Sequence, residues 1–218
     1  GVSTNLGRHY GAGAVIWCMG PYVASRIHVG DVSFQSGPRG ERGSEELAQA
    51  LHRLGLTVYR FKTGTPPRIH YRSLDLEGLE RYEGERLPYG FSFASGPTER
   101  VEPCWVSYTN ERTHAIIRAN LHRSAMHSGA MSGPGPRYCP SIETKLLMFP
   151  DRDRHLVFLE REGTDSPEVY LGGLSTSLPE DVQMDFVRTI RGLERAEFIR
   201  SGYAIEYDCL DPLQLQHS

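Results

Sequence analysis

Residues 44–69 read SEELAQALHRLGLTVYRFKTGTPPRI, and the change of period inside this stretch decides the fold class. Ser44 stands where a helix N-cap belongs, Glu45 and Glu46 follow in the first turn, and Leu47, Leu51 and Leu54 recur on one face. Gly55 supplies the C-terminal stop. The next residues, LTVYRF (56–61), are apolar, aromatic and β-branched, as in a strand, and KTGTPPRI (62–69) reads as the loop that ends it. A helix stopped by glycine and followed at once by a strand predicts a mixed α/β (α+β) chain.

The alternation continues in both directions without internal repeats. Upstream, AVIWCMG (14–20) reads as a buried strand closing on a glycine turn, RIHVGDVSF (26–34) as a second strand, and QSGPRGERGS (35–44) as a loop. Downstream, residues 70–100 form a polar excursion with little regular structure, and VEPCWVSYT (101–109) returns to strand character. Asn110 can cap a helix through about His122 with Ala115, Ile116 and Ala119 inward. HLVFLER (155–161) and PEVYLGG (167–173) suit an antiparallel pair with one covered face. In STSLPEDVQMDFVRTIRGLE (175–194), Ser177 and Glu180 fit a capping box, Val182, Phe186 and Ile190 keep one face, and Gly192 ends the helix. AEFIR (196–200) and YAIEYDCL (203–210) form a last strand pair.

The 218 residues are 39% hydrophobic and 23% charged, which excludes a disordered, fibrous or membrane-embedded chain. The bias lies in the cations: 22 arginines against two lysines, Lys62 and Lys145, within a net charge of -3. That net charge argues against a basic nucleic-acid coat, and the arginine excess reads as compositional. Its distribution is uneven. Residues 1–111 are neutral, 146–218 carry -7, and 112–145 carry +4 from Arg112, Arg118, Arg123, Arg137 and Lys145 against Glu143. His114, Arg118 and His122 fall at i, i+4 and i+8 in the same segment, so an anionic ligand is sought there first. Cys18, Cys104, Cys139 and Cys209 lie too far apart for a CxxC or zinc-knuckle pattern, so neither a disulfide framework nor a metal centre is expected. No stretch has the length of a bilayer span or the order of a signal peptide, and a reducing cytoplasm is the default. The start at Gly-Val-Ser, without Met, leads us to expect a processed, excised or incomplete product.

The motif that carries chemistry is PRYCPSIE (136–143). Two prolines stiffen a turn around Cys139, the manner in which a nucleophile is presented, and Arg137 and Lys145 are placed to lower its thiol pKa. Cys18, Cys104 and Cys209 read as small buried hydrophobes. GAGAVI (11–16) lacks the third glycine of a dinucleotide loop, and no Walker loop, G-x-S-x-G elbow or H-E-x-x-H pair is present. In KTGTPPR (62–68), Lys62, Thr63, Gly64, Thr65 and Arg68 could cradle an anion, although an ordinary tight turn explains them as well.

The runs FKTGTPPRI, YTNERTHAIIRANLHRSAM, GPRYCPSIETK, DRDRHLVFLE, STSLPEDVQM and GYAIEYDCLDP resemble the GidA family, also called MnmG, of flavin-dependent tRNA-modifying enzymes. The resemblance covers residues 14–212 and implies part of a glutathione-reductase-like FAD domain with an inserted mixed β/α domain. It implies a division into 1–60 (FAD-domain segment), 61–175 (insertion with the cysteine motif) and 176–218 (insertion helix and return). It further implies installation of a carboxymethylaminomethyl group on the wobble uridine of tRNA, with FAD, NAD(H) and methylene-tetrahydrofolate as cofactors. Cys139 would be the uridine nucleophile. The stretch Gly135, Pro136, Arg137, Tyr138, Cys139, Pro140, Ser141, Ile142, Glu143, Lys145 and Phe149 would bind NAD, Ser44 FAD, and Lys62, Thr63, Gly64, Thr65 and Arg68 would line the flavin pocket. Arg112, Arg118 and Arg123 would contact tRNA. A homodimer and the GTPase partner MnmE belong to the family pattern, without membrane attachment. The sequence departs from it at Thr144, Met148 and WCMGPYVAS, and it lacks the family's opening glycine loop, its second cysteine, its late FAD motif and its partner-binding tail. A non-catalytic nicotinamide- or tRNA-binding module, or an inactive remnant, is the alternative reading.

Overall fold

In this computed structural model, residues 1–90, 92–97, 101–136 and 140–215 are described. The helix at the opening stretch forms as α1 (Glu45–Arg53), with Ala48 and Leu51 buried. It ends in a Schellman turn: the Leu56 N–H donates to the Leu51 carbonyl and the Gly55 N–H to that of His52, with Gly55 at φ 73°. Ser44 precedes α1 but makes no side-chain cap bond, and Leu54, expected on the inner face, is exposed.

Past the glycine the chain stays extended further than its composition predicts. Strand β5 runs Val58–Thr65, so Lys62 to Thr65 are ladder residues and not a loop. The cause is long-range: all eight residues pair antiparallel with β12 (Tyr203–Leu210). β12 also pairs with β3 (Arg26–Val29), which turns at Gly30 into β4 (Val32–Gln35), giving a four-stranded sheet ordered β4-β3-β12-β5. The expected strand at 26–34 is therefore a hairpin. Residues 14–20 form no strand: Ile16 is 89% exposed and Cys18 is exposed. The N-terminal end adds a two-residue exposed pair, β1 (Val2–Ser3) with β2 (His9–Tyr10).

Pro66 and Pro67 carry the chain out of this sheet into β6 (Arg68–His70), a member of a second, six-stranded sheet. The others are β7 (Glu80–Tyr82), β8 (Cys104–Tyr108), β9 (Leu156–Arg161), β10 (Glu168–Gly172) and β11 (Phe198–Arg200), in the order β11-β6-β10-β9-β8-β7, all antiparallel. β9 and β10 pair as the alternation predicts. β11 and β12 are both strands but not partners: one pairs with β6, the other with β5 and β3, because Ser201 and Gly202 return the chain to the first sheet.

One face of the six-stranded sheet is covered by α2 (Glu111–Ala119), α3 (Ile142–Met148) and α4 (Glu180–Val187). Ile69, Leu159 and Leu171 of the sheet meet Ile117, Leu146 and Phe186 of the helices in one buried cluster. Asn110 caps α2 in a reciprocal box with Thr113, and the buried residues are Thr113, His114 and Ile117, each two residues before an expected inward position; Ile116 is half-buried, and Ala115 and Ala119 are exposed. At α4 the N-cap is Pro179, whose fixed φ starts the helix at Glu180, and Ser177 is drawn instead into a buried network. Cys209, on β12, is exposed, and Cys104 is half-buried with burial raising its thiol pKa. No helix among the described residues is long and apolar enough to cross a membrane.

Candidate active site around the cysteine turn

The cysteine turn is built from its flanks. Cys139, Arg137 and Tyr138 lie outside the described residues. On the downstream side, Ser141 caps α3, accepting from the Thr144 N–H, and the Ile142 N–H donates to the Ser175 carbonyl. Glu143, 0% exposed, directs Oε1 at three donors, each 3.0 Å away: Ser124 Oγ, Thr176 Oγ1 and the Ser177 N–H. Its Oε2 is buried with no hydrogen-bond partner. A carboxylate so enclosed fixes α3 against the 173–178 loop.

On the upstream side, Ser132, Gly133 and Pro134 lie along the outer edge of β5. The Lys62 N–H donates to the Pro134 carbonyl at 3.0 Å, and Gly135 rests against Lys62. Gly133 has φ +81°, and a Cβ there would collide with the Arg60 carbonyl, so only glycine fits.

Beyond Pro140 opens a cleft of about 470 Å³ lined by Pro140, Lys145, Phe149, Arg152, Arg154, His155, Leu156, Phe158, Gly172 and Gly173. It gathers three residues of the 135–149 stretch with three cations or imidazoles of the DRDRH run. Lys145 Nζ donates to the Gly173 carbonyl at 2.9 Å. Arg154 stacks over Tyr108 at 4.2 Å, and Arg152 lies 5.8 Å from the Phe149 ring. His155 Nε2 is buried without a partner. Burial, then the charges of His114, Lys145 and Arg152, push the His155 pKa down, so the ring stays neutral beside these cations. Cationic groups beside aromatic faces suit the phosphates and rings of a nucleotide.

Arg152, Arg154 and His155 lie outside the sequence-predicted site because Asp151 and Asp153 alternate with the arginines, so the DRDRH run (151–155) is neutral in sum and carries no charge signal. The residues of 62–68 make a different arrangement from a cradle. Lys62 to Thr65 are tied into the ladder, and Arg68 bonds Glu162 Oε1 at 2.7 Å, the Thr65 hydroxyl and the Pro66 carbonyl while stacking on Tyr170. Ser44 donates its N–H to Tyr22 and accepts at its carbonyl from Ala48 and Ala24. The three arginines of the basic segment diverge: Arg112 is exposed, Arg118 reaches the Pro150 carbonyl, and Arg123 grips Asp181 with two bonds of 2.9 and 3.1 Å, which hold the Asp181 carboxyl below its usual range. His114 leaves the expected stripe and bonds Thr109 Oγ1 at 2.7 Å inside the core.

Residues 1–218 match the family model described as Glucose inhibited division protein A. The chain belongs to the GidA family. A GidA relative from Exiguobacterium sibiricum, named tRNA uridine 5-carboxymethylaminomethyl modification enzyme MnmG, is 51% identical over 217 residues, covering 99% of this chain and 34% of its own length. One of the same name from Lachnoclostridium phytofermentans is 48% identical over 222 residues, 100% of this chain and 35% of that protein. The crystal structure of Aquifex aeolicus GidA in its form I crystal superposes with a TM-score of 0.86 at 45% identity, over 98% of this chain and 37% of that one. The chain thus spans about a third of the length of these GidA proteins.

Proposed function

We propose that this chain is the part of a tRNA wobble-uridine modification enzyme that presents the uridine nucleophile and binds the nicotinamide cofactor. The observation that carries the reading is the cleft lined by Pro140, the neighbour of Cys139 in sequence, which gathers Lys145, Arg152 and Arg154 with the rings of Phe149 and Phe158. Those cations would hold the phosphates of NAD(H), which supplies a hydride when bound.

Cys139, as thiolate, adds to C6 of the uracil ring. The S–C6 bond would form as the C5=C6 π pair moves to C5, which makes C5 the carbon that takes a one-carbon unit; methylene-tetrahydrofolate would supply that unit when bound. Loss of the C5 proton to a base then returns the electron pair to the ring and expels the thiolate. Arg137 and Lys145 favour the thiolate electrostatically. FAD completes the cofactor set of the reading, with Lys62, Thr63, Gly64, Thr65 and Arg68 as the candidate lining of its flavin pocket. Arg112 and Arg118 supply tRNA phosphate contacts, with Arg123 engaged elsewhere. The inserted part is taken to run from Pro66 to Gly202, between the two sheet crossings. A homodimer, the GTPase partner MnmE and a cytoplasmic setting complete the proposal.

The second reading is a nicotinamide- or tRNA-binding module without turnover, or an inactive remnant of the enzyme. Thiol labelling followed by mass spectrometry separates the two. Cys139 is expected to react several-fold faster near neutral pH than the exposed Cys18 and Cys209; equal rates would remove the nucleophile.

A further inference from the structure

The two flanks of the cysteine turn have separate anchors, and the upstream one is a buried carboxylate on the four-stranded sheet. Glu206, in the central strand β12 of the four-stranded sheet, is 5% exposed. Its Oε1 accepts from the Ser132 N–H at 2.6 Å and from Ser132 Oγ at 3.2 Å. Its Oε2 faces His28 Nε2 at 3.1 Å, with Arg60 Nη2 at 3.9 Å. Arg60 is itself held by Asp208 at 3.1 Å and by the Ala24 carbonyl at 2.6 Å. One carboxylate therefore joins β3, β5 and the 131–136 segment, and the Pro134–Lys62 bond and the Gly133–Arg60 approach extend the same seam. Downstream of the turn, the corresponding anchor is Glu143 with Ser124, Thr176 and Ser177.

We propose that Glu206 is a positioning residue for the cysteine turn: through Ser132 it fixes the line on which the chain enters Pro136–Pro140, and so the reactivity of Cys139. The proposal rests on Cys139 as nucleophile. The bond to the Ser132 N–H needs only an acceptor oxygen at Glu206. Removing the side chain frees the segment, whereas the amide of glutamine keeps it in place while removing the charge.

The experiment is hydrogen exchange of the peptide containing 131–136, together with thiol labelling of all four cysteines, on the 218-residue chain. In Glu206→Ala, amide exchange over 131–136 is expected to rise at least about tenfold and the Cys139 labelling rate to change by threefold or more, with Cys18 and Cys209 steady. Glu206→Gln is expected to bring both back to within about twofold of the parent. Ser132→Ala, a change at an exposed residue that leaves the N–H bond, is the counterpart if Glu206→Ala does not fold; it is expected to raise exchange over the same amides about threefold. Unchanged exchange over 131–136 would overturn the proposal, as would a Cys139 change matched at Cys18 and Cys209, or failure of glutamine to restore the segment. If parent Cys139 labels no faster than Cys18, the nucleophile reading fails, and the exchange data still decide whether Glu206 anchors the turn.

Discussion

At the scale of single residues, the most informative pair is His114 and His155, whose rings lie 5.5 Å apart beneath the cleft. Both pKa values are pushed down, His114 by burial and by Arg118 against the pull of Asp153, His155 by burial and the surrounding cations. Each ring is then neutral when folded and takes a proton more readily when unfolded. Stability is full above the unfolded histidine value of about 6.5 and falls as pH drops through the lowered folded values. Chemical denaturation at pH 7.5 and 5.5 checks this: the parent loses stability on acidification, and His114→Gln flattens part of the slope while keeping an acceptor or donor for Thr109. Glu162 acts in a lower window. Burial would raise its pKa, but the bond from Arg68 and the charges of Arg68, Arg39 and Arg200 outweigh that and hold it down, so its contribution is lost only below the usual carboxylate range. Little of this was legible in the sequence. His114 reads as one member of an anion-seeking stripe with Arg118 and His122 because spacing reports which residues share a helix face, not whether that face is inward; Thr109 and His155, which decide the matter, lie just after β8 and just before β9.

Among the elements, a local signal decides some starts and stops, as at Asn110 and Gly55, but not at Ser44, Ser177 or residues 14–20. α2 announces itself through Asn110, and the reciprocal bonds with Thr113 make the cap; Asn110 Nδ2 also reaches the Thr189 carbonyl at 2.7 Å. Asn110→Ala is expected to destabilise the fold by about 1–2 kcal/mol, measured by urea denaturation, because both roles are lost together. Residues 62–65 look like a turn to any rule of local chemistry, since Thr-Gly-Thr before two prolines favours one. Eight paired positions on β12 override that preference, and no local signal in 56–69 could have revealed them. Ser177 illustrates the reverse case: its capping-box spacing is right, but Pro179 starts the helix and the serine hydroxyl serves Ser124 and Met126 instead.

For the molecule as a whole, the largest investment of apolar surface joins the six-stranded sheet to its three helices. Phe186 is fully buried at the centre of that cluster. Phe186→Ala is expected to cost about 3–5 kcal/mol, read as a shift of the denaturation midpoint with little change in slope. The resemblance to GidA supplied the two-part architecture that composition alone does not encode, while the helix–glycine–strand run at 44–61 was enough for the mixed class.

The two crossings between sheets have a further consequence. Thr65, the last residue before the departure, is paired across the ladder with Tyr203, the first after the return. The ends of the segment between them are therefore about 5 Å apart, one strand spacing. Cutting out that segment would leave β5 and β12 ready to be joined by a two-residue hairpin turn with their register unchanged. The same geometry read backwards describes acquisition: a hairpin tip in an ancestral sheet could accept more than a hundred residues in a single event without moving any strand already there.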